Sequence, residues 1–283
     1  MRRIFSRREF MAEGHTKKEL EWALKVGRIH RVAHGWYLEG DTEPTAFERQ
    51  LGRMLAADGM ATSLVAGSLL GLDGIELRDH DTPRLRRTPV SPEPTRVNGV
   101  WCTDALQTLV DIAPLVDDLV FEQALECALH KRLLDIEQLT DSLPLLAAVR
   151  APGTARIKRV LALRPKGAPP TESLLETLMV QLARQVEDVP EPDRQVVVND
   201  EDGRFVARVD LAWCAIGAFN ELDGQGHKDQ PVYDAVRQTN VVIATGWLCG
   251  RFTWREVRHN PIPTGRRLRA FVASAQRRGR GAA

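Results

Sequence analysis

The chain is poor in the features that mark secreted, membrane-spanning or nucleic-acid-coating proteins. Four cysteines, Cys102, Cys127, Cys214 and Cys249, are scattered over 283 residues with no C-x-x-C spacing. That argues against structural zinc or a disulfide framework and for buried free thiols. No apolar run reaches the ~18 residues a membrane helix needs, and the first residues, MRRIFSRREF, lack the apolar stretch of a signal peptide. A cytoplasmic protein with no membrane partner is therefore expected. Net charge is also missing: at +1, the molecule as a whole does not coat nucleic acid by bulk charge. Its basic residues instead crowd the first 31 positions, the segment 84–96 and the tail 266–280. Most charge runs are solvated faces, but local patches of this kind can hold phosphates. The length and the 43% hydrophobic content suit two ordinary globular domains.

What the chain does contain is acid within apolar strands. Two apolar runs, 205–213 and 215–222, carry or directly precede Asp210, Glu221 and Asp223, and a glycine turn and His227 follow at once. Burying unpaired carboxylates costs several kcal/mol unless a partner or cation compensates, on the order of the penalties for buried charge. Carboxylates brought together also raise one another's pKa values unless a metal neutralises them.

At the N-terminus, residues 7–12 read as a short helix ended by Gly14. Thr16 caps a second helix, with Glu19 at capping-box spacing and Leu20, Leu24, Trp22 and Ala23 on its apolar face. The alternating stretch 29–38, with Gly35, reads as a hairpin whose core includes Trp36 and Tyr37. Two short helices followed by a β wing describe a winged helix-turn-helix, in which the second helix enters the DNA major groove. The segment TKKELEWALKVGRIHRVAHGWYL resembles the N-terminal domain of AbiEi-family antitoxins. That resemblance implies DNA as a partner, contacted by Lys17, Lys18, Lys25, Arg28 and Arg31; the plainer reading is a small domain kept for protein contacts. The middle region shows helical spacing over 105–115, 119–133 and 136–143 and no catalytic spacing, and TDALQTLVDIA resembles the connecting portion of the same antitoxin-like proteins.

A polar, proline-rich connector ends near Pro170. Thr171 then caps a helix 172–186 that can project Glu172 and Glu176 from one end. Strands follow at 195–199, 205–213 and 215–223, then a helix 229–245, a strand 247–253 and a basic amphipathic tail helix 265–278. Residues two apart on a strand share a face, so Glu221 and Asp223 point the same way and Asp210 on the neighbouring strand can meet them. Converging hard oxygens suit Mg²⁺ or Mn²⁺, and Lys228, Arg237 and Arg251 are candidates for phosphate contact. For Arg251 an ion pair with a site carboxylate is the alternative role.

The combination of Glu176, VDLAW at 209–213, NELDGQGH at 220–227, D-x-x-R at 234–237 and GWLCGRFTW at 246–254 resembles the PD-(D/E)XK nuclease superfamily. It is most similar to the branch related to very-short-patch-repair endonucleases. The resemblance implies Asp210, Glu221 and Glu176 as metal ligands, with Asp223 and His227 as further catalytic-site residues and Asp223 standing where many members have lysine. Where relatives often carry D-R-x-R, this chain has Asp234-Ala235-Val236-Arg237. The water-activating role is unassigned, with His227 and Lys228 the candidates.

The expected fold is α/β: a winged helix-turn-helix over 1–42, a mostly helical region over 43–150, a linker over 151–170, and a restriction-endonuclease-like mixed sheet flanked by helices over 171–283. The expected function is a metal-dependent DNA endonuclease. The competing expectation is an AbiEi-like DNA-binding transcriptional regulator of a toxin-antitoxin pair, carrying an inactive nuclease-type domain. A homodimer and a cognate toxin remain open as partners.

Overall fold

The computed structural model of the protein describes residues 1–57, 60–78, 89–91, 93–223 and 231–281 and shows a mixed α/β chain. It divides into two compact units, Met1–Ala128 with Arg132–Ala162, and Leu163–Ala283 with Leu129–Lys131.

The first unit opens with β1 (Ile4–Ser6), α1 (Arg7–Ala12), α2 (Lys17–Lys25), β2 (Ile29–Ala33) and β3 (Trp36–Glu39). Ser6 and Thr16 each form a capping box with the glutamate three residues on, which fixes where the two helices begin. The strands form an antiparallel sheet in the order β1-β3-β2, with the hairpin turning at Gly35. The short strand β1 is absent from the sequence reading because three residues show no usable alternation; it pairs Phe5 with Tyr37 on β3. Phe5, Leu20, Ile29 and Tyr37 form the core beneath α2. Trp22, assigned above to the apolar face, is instead 51% exposed.

Beyond these elements lie α3 (Ala46–Ala57), α4 (Ser63–Leu69) and the hairpin β4 (Thr95–Val97) to β5 (Val100–Cys102). Asn98 and Gly99 both take positive φ, the backbone a two-residue hairpin turn requires. Then follow α5 (Ala105–Ile112), α6 (Asp118–His130), α7 (Ile136–Ala148) and α8 (Thr154–Leu163). α7 runs through Pro144, where the sequence suggested an end; buried Leu139 and Leu146 anchor it on both sides of the proline. Within the expected linker, α8 is tied to α6 by Arg156 and Arg159, each 2.8 Å from Asp118.

The second unit comprises α9 (Leu174–Gln185), β6 (Asp193–Asn199), β7 (Phe205–Trp213), a 3₁₀ turn, β8 (Ala218–Asp223), α10 (Pro231–Thr245), β9 (Leu248–Thr253), α11 (Trp254–His259) and α12 (Pro261–Gly281). The sheet order is β6-β7-β8-β9; the first two pairings are antiparallel and the last is parallel, with α10 as the crossover. One core joins Leu175 and Met179 of α9 and Leu268 and Val272 of α12 to Leu211, Trp213 and Phe252 of the sheet. A second core packs Val241 of α10 on Val198, Ala207, Val209 and Phe219. The third strand begins at Ala218, not 215, because Cys214–Ile216 forms the 3₁₀ turn and Gly217 leaves it in the left-handed conformation. Ser173, not Thr171, caps α9: its hydroxyl accepts the Glu176 N–H, whereas Thr171 is buried against Thr177. The separate helix α11 starts at a Thr253–Glu256 capping box that the sequence reading passed over. No helix among the described residues is long and apolar enough to cross a membrane.

Candidate carboxylate site and basic helix face

Glu176 occupies the first turn of α9 and is 4% exposed. Its carboxylate accepts the Glu172 N–H at 2.9 Å, the Ser173 hydroxyl at 3.0 Å and the Gln195 side-chain amide at 2.7 Å. Three donors and a helix N-terminus favour the anion. Burial nonetheless wins and, aided by the negative charge of Asp210, pushes the carboxyl up to about 7. Asp210 lies on β7, and its carboxyl is raised as well. Burial is the main cause; Arg237, the Leu222 N–H and Arg208 pull the other way, and Glu172 adds to the rise.

Leu211 pairs with Asn220 and Ala212 with Phe219, so the next step of the register sets Asp210 across from Glu221 on β8. Glu221 is 3% exposed, and its Oε2 accepts from Arg237 Nη2. Arg237, on α10, also donates to the Arg208 carbonyl at 3.1 Å, and Arg208 in turn pairs with Glu172 at 2.6 Å. The guanidinium of Arg237 thus neutralises Glu221 and acts electrostatically on Asp210.

Asp223 does share the strand β8 with Glu221, but it is partly exposed and paired with Arg251 at 3.2 Å. Arg251 therefore takes the ion-pair role, with Asp223 as its carboxylate. The structure brings together Glu176, Asp210 and Gln195, with Glu221 joined through Arg237. Among the described residues, no contact draws Asp223 into this group. His227 and Lys228 lie outside the described residues. Among the described residues, no three histidine, cysteine, aspartate or glutamate side chains form a metal-binding group.

A hard divalent cation fits what is present. The donors are all oxygens, two of the carboxyls are destabilised as anions, and Gln195 Oε1 is buried with no hydrogen-bond partner among the described residues. Gln195, Arg208 and Ser173 were missed in the sequence. A polar Arg194-Gln195 pair opening an apolar strand across from Asp210 is the signal that could have revealed Gln195.

In the first unit, Lys18, Trp22 and Lys25 recur at helical spacing on α2, and all three are exposed. Arg28 lies over the Trp22 ring at 5.0 Å, and Arg31 lies 6.0 Å from the Tyr37 ring. Lys17 is exposed and pairs with Glu21 at 3.5 Å. The five basic residues expected to meet DNA are thus all solvent-facing on α2, β2 and the connection between them. Compared with known protein families and with curated proteins, the chain matches no family model and no curated protein.

Proposed function

We propose that the protein is a metal-dependent DNA endonuclease, with the exposed face of α2 and the β2–β3 hairpin binding DNA. The carrying observation is the buried Glu176 beside the half-buried Asp210: burial raises both carboxyls, the charge of Asp210 adds to the rise at Glu176, and the two call for a positive counter-charge. Glu176 and Asp210 would hold Mg²⁺ or Mn²⁺, with Glu221 adjacent on β8. A cation bound there supplies Lewis acidity toward a phosphodiester. Ser173 and the Glu172 N–H hold the Glu176 carboxylate in place, and the Leu222 N–H does the same for Asp210. Arg237 brings the positive charge closest to these acids and is the candidate for steadying a phosphate. Proton transfer falls to His227 or Lys228, which follow β8 in the sequence. The mixed sheet flanked by helices supports the nuclease reading, and the β1–α1–α2–β2–β3 order supports a winged helix.

One observation favours the regulator reading: Glu221 is held by Arg237, which leaves the acid group short of a third open carboxylate. Plasmid nicking in Mg²⁺ or Mn²⁺ by wild type, Asp210→Ala and Glu221→Ala separates the two. The endonuclease reading expects nicking by wild type and a loss of at least about 100-fold in each variant. Activity unchanged in both variants sinks the site, and promoter binding without any nicking favours the regulator.

A further inference from the structure

We infer that Gln195 completes the cation site, fixing the Glu176 carboxylate through its amide nitrogen and offering its amide oxygen as a neutral ligand to the divalent ion. This rests on reading the acid pair as a cation site. Arg194 pairs with Leu211 and Val196 with Val209, so Gln195 stands at the ladder position of Asp210. Its φ is +52° inside a strand, a conformation strained for a residue with a long side chain. With that backbone, Nε2 reaches Glu176 Oε2 at 2.7 Å, while Oε1 is buried and has no hydrogen-bond partner among the described residues.

A buried amide oxygen left without a donor is unfavourable, and so is the local backbone. Both make sense together if the amide serves a cation. A carbonyl oxygen is a suitable ligand for Mg²⁺ or Mn²⁺. Being neutral, it adds no repulsion to Glu176 and Asp210, whereas a third carboxylate at this position would.

The test is calorimetric titration of Mn²⁺ into metal-free full-length protein, with thermal melts of the same samples. Wild type is expected to bind, and Asp210→Ala to lose binding. Gln195→Leu and Gln195→Gly are both expected to bind about 10-fold more weakly. Glycine accepts the left-handed backbone, so Gln195→Gly should melt no lower than wild type while still losing affinity. That combination separates a ligand role from a merely structural one, even if Gln195→Leu folds poorly. Wild-type affinity in the Gly variant, with binding abolished by Asp210→Ala, overturns the role of Gln195 alone. Absence of Mn²⁺ binding in wild type overturns both the cation site and this inference.

Discussion

At Glu176, three donated hydrogen bonds oppose burial and the charge of Asp210, and the balance leaves the carboxyl near 7, against 4.5 for the free group. The folded state therefore keeps this proton to higher pH than the unfolded chain does. Stability is fully present below about 4.5 and declines as pH rises through about 7, by roughly 3 kcal/mol at the order-of-magnitude level. Asp210 shifts in the same direction. Melts in EDTA should show wild type losing stability from pH 5 to pH 8 and Glu176→Gln losing much less; parallel profiles would refute this. Asn220 presents a different residue-scale conflict. It is wholly buried, and neither end of its amide has a hydrogen-bond partner among the described residues. Such a group costs about 1–3 kcal/mol, and valine suits a strand and fills much of the same space. Asn220→Val should raise the melting temperature by a few degrees. A clear drop instead would show that the amide is satisfied in solution.

Among the elements, helix starts were legible where a cap was unambiguous. Thr16 and Glu19 fix α2, because the cap rests on chemistry local to a few residues. Tertiary contacts decided the rest. β1 exists because β3 offers it a partner, α7 crosses Pro144 because both flanks are buried, and Ser173 rather than Thr171 caps α9 because Thr171 is taken up by Thr177. The same division holds at the site. Glu176, Asp210 and Glu221 stood out as acids among apolar residues, and strand alternation correctly put Asp223 on β8 beside Glu221. Alternation could not show that Arg237 would claim Glu221 or that Asp223 would turn to Arg251, since both partners arrive from other elements. Close approach between elements carries its own prediction. A Cβ on Gly52 of α3 would lie 2.4 Å from Val32 Cγ2 on β2. Gly52→Ala should push helix from strand, destabilise the first unit by about 1–3 kcal/mol and weaken DNA binding, read by melting and by gel shift. An unchanged melt would show that Val32 yields at no cost.

For the molecule as a whole, the proposed DNA contacts and the acid group belong to different compact units, so binding and cleavage should separate by mutation. Lys18→Ala and Lys25→Ala should each weaken DNA binding about equally on any sequence and reduce the slope of log affinity against log salt by roughly 0.9. Asp210→Ala should leave that slope unchanged while abolishing nicking. A salt slope identical in wild type and both lysine variants would remove α2 from the interface. The kink at Gln195 also bears on how copies of the chain meet one another. β6 stands at one end of the four-strand order and carries three successive valines, Val196–Val198, with Val197 largely exposed. A straight apolar strand in that position is a template on which a neighbouring molecule can lay down its own strand. A left-handed residue just before the valines and a register shift between Val198 and Asn199 at their far end interrupt the regular extended backbone of that strand. The distortion that brings an amide to Glu176 therefore also makes β6 a poor seed for aggregation.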